Sequence, residues 1–231
     1  MKLIFKHTRT AASAAVAALT LVMAGCATPP PPYDYTAFIK AKPASLLVLP
    51  PLNDSPDVKA TPSVWAHATR PLSEAGYYVL PITLVDETFR QNGLSIATDV
   101  QQVSAQKLRE FFGADAALYM RIKGYGTKYA VINSETRVEV EGRIVDLRTG
   151  VLLWEGKAVA SSAEQQQQSQ GGLVGLLVSA LVNQIVGTAT DAAFNYAGIA
   201  NARLLGAPRP NGVLPGPRSP LFGQAPMTTA R

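Results

Sequence analysis

The spacing of hydrophobic residues changes partway along the chain, and this change decides the fold class. In the first half, short apolar runs alternate with stretches of helical period. Ser45–Leu49 predicts a strand buried on both faces, and a helix pattern follows from Ser63 to Gly76. From Ala116 to Ile144, apolar and polar residues mostly alternate one by one, which is typical of half-buried strands. The order predicts β-α-β-α-α and then a β-meander, an α/β (α+β) fold whose mixed sheet carries helices on one face.

Local signals set the ends of several elements. Tyr77–Pro81 predicts the second strand, and Thr83 is a candidate N-cap for the helix after it. Ser104 and Gly113 predict the start and the end of a further helix. Gly124-Tyr125-Gly126 predicts a turn at the end of the first long strand.

The first 25 residues predict a lipoprotein signal peptide. Met1–Thr10 holds three basic residues and no acid, and Ala11–Ala24 is an uncharged apolar run of 14 residues. That run is shorter than the roughly 20 residues a spanning helix needs, and it is typical of the apolar part of a signal peptide. It ends in Leu-Val-Met-Ala-Gly before Cys26, which resembles a bacterial lipobox. The alternative is an ordinary signal peptide that contains a cysteine.

The lipobox resemblance implies that Cys26 becomes the first residue of the mature protein and carries a diacylglycerol and an N-acyl chain such as palmitate. Ala27 stands where many enteric bacteria use aspartate as the signal for inner-membrane retention. The prediction is therefore an outer-membrane lipoprotein, bound to the membrane through its lipid. Its body is predicted to be periplasmic, with exposure at the cell surface left open.

Proline-rich segments lie at both ends of the body. Residues 26–44, with four consecutive prolines at 29–32, predict a lipidated tether that holds the body away from the bilayer. Residues 207–231 contain six prolines and predict a disordered tail. Between them, residues 45–206 predict a single α/β domain.

Charge argues against a nucleic-acid partner. The chain has a formal net charge of +5, but residues 26–206 hold 15 basic and 16 acidic residues. The excess of positive charge therefore belongs to the two ends, and the body offers no electrostatic basis for binding DNA or RNA.

Four stretches carry a resemblance to a known family. They are LLVLPP at 46–51, EAGYYVLP at 74–81, FFGADAALYMRIKGYGT at 111–127 and VDLRTGVLLWEG at 145–156. Together they resemble a family of bacterial outer-membrane lipoproteins of unassigned function with a TolB N-terminal-domain-like fold. That family is related to the curli-secretion lipoprotein group. The resemblance implies an envelope lipoprotein that works within an assembly, beside other envelope lipoproteins such as a curli-secretion-like partner. It brings no catalytic residues.

The residues themselves give enzyme activity no support. One cysteine and two histidines exclude a four-thiolate metal site and most histidine-rich ones. Glu135, Glu139 and Glu141 could form paired carboxylates, but Arg137 and Arg143 interleave with them and favour a solvated strand face. We therefore expect no catalytic residues, no metal site and no cofactor beyond the lipid on Cys26.

Two smaller features have equally plain interpretations. His67 stands alone on a helix pattern, which favours a structural or solvated histidine. Asp54 and Asp57 are too few for a calcium loop.

The stretch between Glu164 and Asp191 contains 26 uncharged residues. On a helix, its small or polar residues fall in one stripe, for which an interface is the hypothesis: Gly171, Gly175, Ser179, Asn183 and Gly187. This stretch can pack on the protein's own sheet, bind a partner or a second copy of the chain, or insert into a membrane. With Thr190–Leu205 it predicts an apolar helical hairpin over 171–205.

Two functions follow and stay open at this stage. The first is a non-catalytic adaptor or assembly subunit of an envelope transport or secretion complex. The alternative is a membrane-inserting channel or secretion component built from the meander or from the 171–205 helices.

Overall fold

The computed structural model describes residues 31–129, 134–164 and 192–227. In chain order the helices are α1 Thr36–Ala41, α2 Ala60–Glu74, α3 Ile82–Gln91, α4 Ala97–Gln102, α5 Ala105–Phe112 and α6 Ala192–Leu205. The strands are β1 Ser45–Val48, β2 Leu52–Asn53, β3 Tyr78–Val79, β4 Ala116–Tyr129, β5 Ser134–Asp146 and β6 Leu152–Ser161. The predicted signal peptide and residues 171–191 of the predicted helical hairpin lie outside the described residues.

The strands form one open mixed sheet in the order β3-β1-β4-β5-β6, with β2 paired to β4. β1 lies parallel to both β3 and β4, whereas β4, β5 and β6 are antiparallel neighbours. The predicted fold class, a mixed sheet with helices that ends in an antiparallel meander, is confirmed. β1 is buried on both faces, as its unbroken apolar run predicts.

The helices α2 and α6 pack against each other and against one face of the sheet. Leu118, Ile122, Val140 and Ile144 point to this face and are fully buried. Gly142 lies among them, and a Cβ atom there would stand 3.2 Å from Cδ2 of Leu204. The missing side chain therefore lets α6 approach the sheet closely.

The predicted turn at Gly124-Tyr125-Gly126 is wrong, because β4 continues through it to Tyr129. A β-bulge between Ile122 and Gly124 shifts the register by one residue. A bulge reverses which face the following residues occupy. Tyr125 consequently joins the helix-covered face and donates a hydrogen bond to Oγ of Ser63 on α2, at 3.0 Å.

The predicted helix ends are right at one helix and wrong at another. Ser104 caps α5, since its Oγ accepts from the backbone N–H of Lys107 at 3.3 Å, and Gly113 ends it with a φ of +65°. Thr83 is not an N-cap, because α3 begins at Ile82 after Pro81. Pro81 occupies the N-cap position, and its side chain has no group that could accept a hydrogen bond from the first turn.

The proline-rich segment after α6 is ordered against the domain, contrary to the predicted disorder of residues 207–231. We call residues 207–219 the strap. Three buried or half-buried side-chain donors bind its carbonyl groups: Trp154 to Asn211 at 3.1 Å, Tyr35 to Gly212, and Tyr77 to Leu214. The backbone N–H groups of Gly216 and Arg218 then donate to Ala75 and Gly76. Because these donors satisfy its backbone, the strap needs neither helix nor sheet to pack.

The strap contacts residues at both edges of the sheet. Its start is bound by Trp154 on β6, and its end lies beside Gly76, just before β3. A Cβ atom on Gly76 would stand 2.4 Å from the backbone nitrogen of Ser219, so the two backbones meet where no side chain fits.

The domain also begins earlier than the predicted boundary at residue 45. Tyr35 and Phe38 are buried to 5% and 4% exposure, and α1 packs near β6. The backbone N–H of Tyr33 donates to Oδ1 of Asn211 at 3.0 Å. The second half of the predicted tether is therefore part of the folded domain, since its aromatic side chains find apolar partners.

Candidate partner-binding surfaces

The predicted lipidation site Cys26 and the hypothetical interface stripe lie outside the described residues; the stripe consists of Gly171, Gly175, Ser179, Asn183 and Gly187. They stay predictions. The other candidates fall in different places in the fold, and the structure does not bring them together into one site.

The carboxylates on β5 have separate partners. Glu139 pairs with Arg137 at 3.0 Å, and Glu135 accepts a hydrogen bond from Oγ of Ser161 at 2.6 Å. Glu141 is the member of the series that lines a cleft. Within the described part of the chain, no group of three or more His, Cys, Asp or Glu side chains is arranged to hold a metal ion.

Asp54 is a structural anchor for β4. Its carboxylate oxygens lie 2.6 Å from Nζ of Lys123 and 2.8 Å from a guanidinium nitrogen of Arg121. The hydrogen bond from Lys123, with help from Arg121, lowers the pKa of Asp54 below its usual value. The same carboxylate therefore holds two of the basic side chains and offsets one of their two positive charges.

His67 lies between α2 and α6 and is half-buried. Its ring is tilted against Phe194 with 4.4 Å between ring centres, and Gly198 leaves room for it. Burial lowers the pKa of His67, so its neutral form is favoured. This is a packing position, in agreement with the structural interpretation of this histidine.

The first candidate surface is apolar and lies at the β3 edge of the sheet. We call it the edge groove, a depression of about 460 Å³ between β3, α3 and α5. Tyr78, Leu84 and Phe111 line it with exposures of 47%, 66% and 63%. Three large apolar side chains exposed together are unusual for a surface with no partner.

The edge groove arises because two short helices are not fully amphipathic. In α3, Val85 and Phe89 turn into the core, which leaves Leu84 about 100° away and in solvent. In α5, Leu108 is buried and Phe111 points outward. The guanidinium of Arg218 in the strap lies 5.4 Å from the centre of the Tyr78 ring.

The second candidate surface is polar and lies on the face of β4–β6 opposite α2 and α6. We call it the charged cleft, a cavity of about 620 Å³. Its charged and aromatic lining residues are Tyr33, Tyr119, Arg121, Glu141, Arg143, Glu155 and Lys157. Gln101 of α4 forms part of the rim and donates hydrogen bonds to the carbonyls of Pro50 and Met120, at 2.9 and 3.0 Å.

Strand register explains how the charged cleft is assembled. Arg121, Glu141 and Lys157 stand side by side across the three strands, and Tyr119, Arg143 and Glu155 form the next row. The Arg143 guanidinium lies 5.0 Å from the centre of the Tyr119 ring. Sequence reasoning identified Glu141 and Arg143 as a polar strand face, but it missed the cleft, because Tyr33 and Gln101 come from distant parts of the chain.

In the part of the chain that the structure describes, none of the helices is long and apolar enough to cross a membrane. The helix α6, predicted to belong to a helical hairpin, has 14 residues. Ala193, Ala197, Ala200 and Leu204 on it are buried. The described half of the predicted hairpin is thus a core helix.

Comparisons with known proteins agree with this architecture. The GNA1162-like family, described as putative lipoproteins, matches residues 33–218. A protein of Neisseria meningitidis serogroup B (strain MC58), the putative lipoprotein NMB1124/NMB1162, is 49% identical over 188 residues, which are 81% of this chain and 86% of that protein.

Two solved structures extend the comparison. The crystal structure of lipoprotein GNA1162 from Neisseria meningitidis is 49% identical, covers 63% of this chain and 100% of that one, and has a TM-score of 0.50. A PelC dodecamer from Paraburkholderia phytofirmans is 13% identical over 70% of this chain and 86% of that one, with a TM-score of 0.42.

The family match and the relative of 49% identity define the class, that of bacterial proteins described as putative lipoproteins. More narrowly, the chain belongs to the GNA1162-like lipoprotein family. The match begins at Tyr33 and ends at Arg218, so it includes both the segment before β1 and most of the strap. The family resemblance predicted from sequence is thereby confirmed.

Proposed function

We propose that this protein is a lipid-anchored lipoprotein of the outer membrane that serves as a non-catalytic adaptor or assembly subunit of an envelope transport or secretion complex. The observation that carries the proposal is the edge groove. Its three exposed apolar side chains would leave water if an apolar segment of another envelope protein packed there.

The groove is suited to a protein partner by size and composition. It exposes Tyr78 and Phe111, and aromatic side chains are enriched at protein interfaces. It also adjoins β3, which is an edge strand of the sheet and pairs with β1 on one side only. A partner would therefore gain apolar contacts from α3 and α5 beside an edge strand of the sheet.

The channel alternative is less well supported by the packing. It requires the meander or the 171–205 helices to enter the bilayer. In the structure, β4–β6 and α6 contribute Leu118, Val140, Ile144 and Leu204 to the main core. Their departure into a bilayer would expose the apolar residues of α2 that they cover to water, at a cost of several kcal/mol. The adaptor proposal requires no such rearrangement.

The groove is tested by adding charge where the partner would pack. The double variant Leu84→Glu and Phe111→Glu should remain folded, because both side chains are mostly exposed. It should lose its partners when the native complex is extracted from envelopes in mild detergent, sized, and identified by mass spectrometry. The matched control is Val58→Glu with Ile96→Glu, which changes two apolar residues of 86% and 60% exposure outside the groove.

Retention of the same complex by both double variants would refute the groove as the docking site. A complex containing only copies of this chain would replace the adaptor role with self-assembly.

The lipid anchor has its own test. Cys26→Ser should abolish incorporation of labelled palmitate and leave an uncleaved precursor, because the thiol is the acceptor of the lipid. Continued labelling of the variant would contradict the anchor. The groove does not depend on this result, since it lies wholly within the described domain.

A further inference from the structure

The charged cleft keeps four charged side chains free of one another. Glu141 lies directly opposite Lys157, and Arg143 directly opposite Glu155, on neighbouring strands. Opposite charges at such positions commonly pair. Yet in the described part of the chain none of the four forms an ion pair within 4 Å, whereas Arg121 nearby is bound by Asp54.

The arrangement of these charges narrows the class of ligand. Two cations and two carboxylates alternate on a two-by-two grid, so their net charge is zero. These four side chains therefore add no overall attraction for a polyanion or a polycation. They offer donors to a phosphate and acceptors to an ammonium group at the same time, which suits a zwitterion.

A short chain segment connects the cleft to the predicted lipid anchor, and a membrane is a source of zwitterionic headgroups. Tyr33 lines it, and only seven residue steps separate Tyr33 from Cys26. Even a fully extended chain of that length spans at most about 25 Å. If Cys26 carries lipid, Tyr33 stays within that distance of the membrane in which the lipid is anchored.

We infer that the charged cleft binds the headgroup of a membrane phospholipid that bears both a phosphate and a primary ammonium group, as in phosphatidylethanolamine. Arg143 and Lys157 donate to the phosphate oxygens, and Glu141 and Glu155 accept from the ammonium group. The bound headgroup would hold the open face of the sheet against the bilayer. This inference rests on the lipid anchor of the proposed function, but not on the edge groove.

The binding is measured site by site on the mature chain. A chain from residue 26 with Cys26→Ser includes the whole compact unit, Pro32–Thr228. Dihexanoyl phosphatidylethanolamine, kept below its micelle concentration, is titrated into this ¹⁵N-labelled protein. The reporters are the amide signals of Gly142 and Gly156, whose residues line the cleft.

We expect saturable shifts of these two signals and at least tenfold weaker binding of dihexanoyl phosphatidylcholine. That lipid has the same charges, but its quaternary ammonium has no N–H donors for the carboxylates, and a hydrogen bond to a charged group is worth about a factor of ten or more.

Two variants separate the two halves of the site. Arg143→Gln with Lys157→Gln should weaken binding of both lipids about tenfold or more, because the phosphate loses its cations. Glu141→Gln with Glu155→Gln should weaken binding of phosphatidylethanolamine alone and so remove the preference between the lipids. The matched control is Arg70→Gln with Lys107→Gln, two exposed cations that do not line the cleft, and it should bind as the parent does.

Three results would overturn the inference. The first is an absence of shifts at Gly142 and Gly156, and the second is equal affinity for the two lipids. The third is a failure of the protein to bind vesicles that contain phosphatidylethanolamine while soluble phosphoethanolamine shifts both signals, which would assign the cleft to a free small molecule. The assay contains neither a lipidated cysteine nor a partner protein, so its failure would leave both the anchor and the groove standing.

Discussion

On one face of β4–β6, Leu118, Ile122 and Val140 are fully buried beneath α2 and α6. On the other face of the same strands, Arg143 and Lys157 stand in the charged cleft, exposed to solvent. The backbone, the hydrogen bonding and the register are shared, so the difference lies in the side chains and in what covers them. The two faces of a half-buried sheet thus have different roles. Packing dictates one face, while the other is free to carry charges suited to a ligand.

The largest expected effect compares one residue from each side. Leu204→Ala removes a side chain of 3% exposure that packs over Gly142, and we expect it to lower the free energy of unfolding by about 3 kcal/mol. Arg143→Ala on the open face should lower it by less than about 1 kcal/mol. Urea unfolding measures both. A greater loss for Arg143→Ala than for Leu204→Ala would break the comparison.

Two glycine substitutions test the covered face further, and the expected change in the free energy of unfolding is of intermediate size. A Cβ atom on Gly156 would stand 2.5 Å from Cζ2 of Trp154, so Gly156→Ala must displace the indole that binds the strap. We expect a loss of about 2 kcal/mol. Gly124→Ala is the control, because its nearest neighbour, Cβ of Glu139, would be 3.9 Å away. Equal unfolding midpoints for the two variants would show that Trp154 can move without cost.

The smallest effect is a pH dependence at the covered face. Burial lowers the pKa of His67 from its ordinary 6.5, so the unfolded chain binds a proton at higher pH than the folded protein does. Stability should therefore be complete above about pH 6.5 and should decline as the pH falls below that value. Unfolding followed between pH 7.5 and 5 should give a shallower slope for His67→Gln. The same slope in both proteins would assign the dependence to other groups.

The parts of the fold that sequence predicts well are those with local causes. Alternation of apolar and polar residues predicted β5 and β6, and the capping residues Ser104 and Gly113 predicted both ends of α5. The bulge before Tyr125 was missed, because a turn and a bulge use the same glycines and only pairing with β5 distinguishes them.

The strap and the two surfaces depend on contacts between distant residues. The donors that bind the strap, Tyr35, Tyr77 and Trp154, lie 177, 137 and 57 positions away from their acceptors, so no local pattern indicates them. The strap itself has the composition of a disordered tail, because the groups that order it lie elsewhere in the chain. The edge groove did have a signal in the sequence, since Leu84 lies outside the apolar face of its helix. The charged cleft had only a partial signal in the sequence, which was the polar face of β5.

The contact between the start of the domain and the strap also decides how the molecule would carry a mechanical load. A pull on the chain before Tyr33 would first reach the hydrogen bonds from Tyr33 to Asn211 and from Tyr35 to Gly212. It would not act along the strands, because α1 stands between the point of attachment and β1. Tension would thus peel a helix away from a strap before it sheared the sheet. The hydrogen bonds between the start of the domain and the strap would break first. The sheet that carries the cleft and the edge groove would keep its shape.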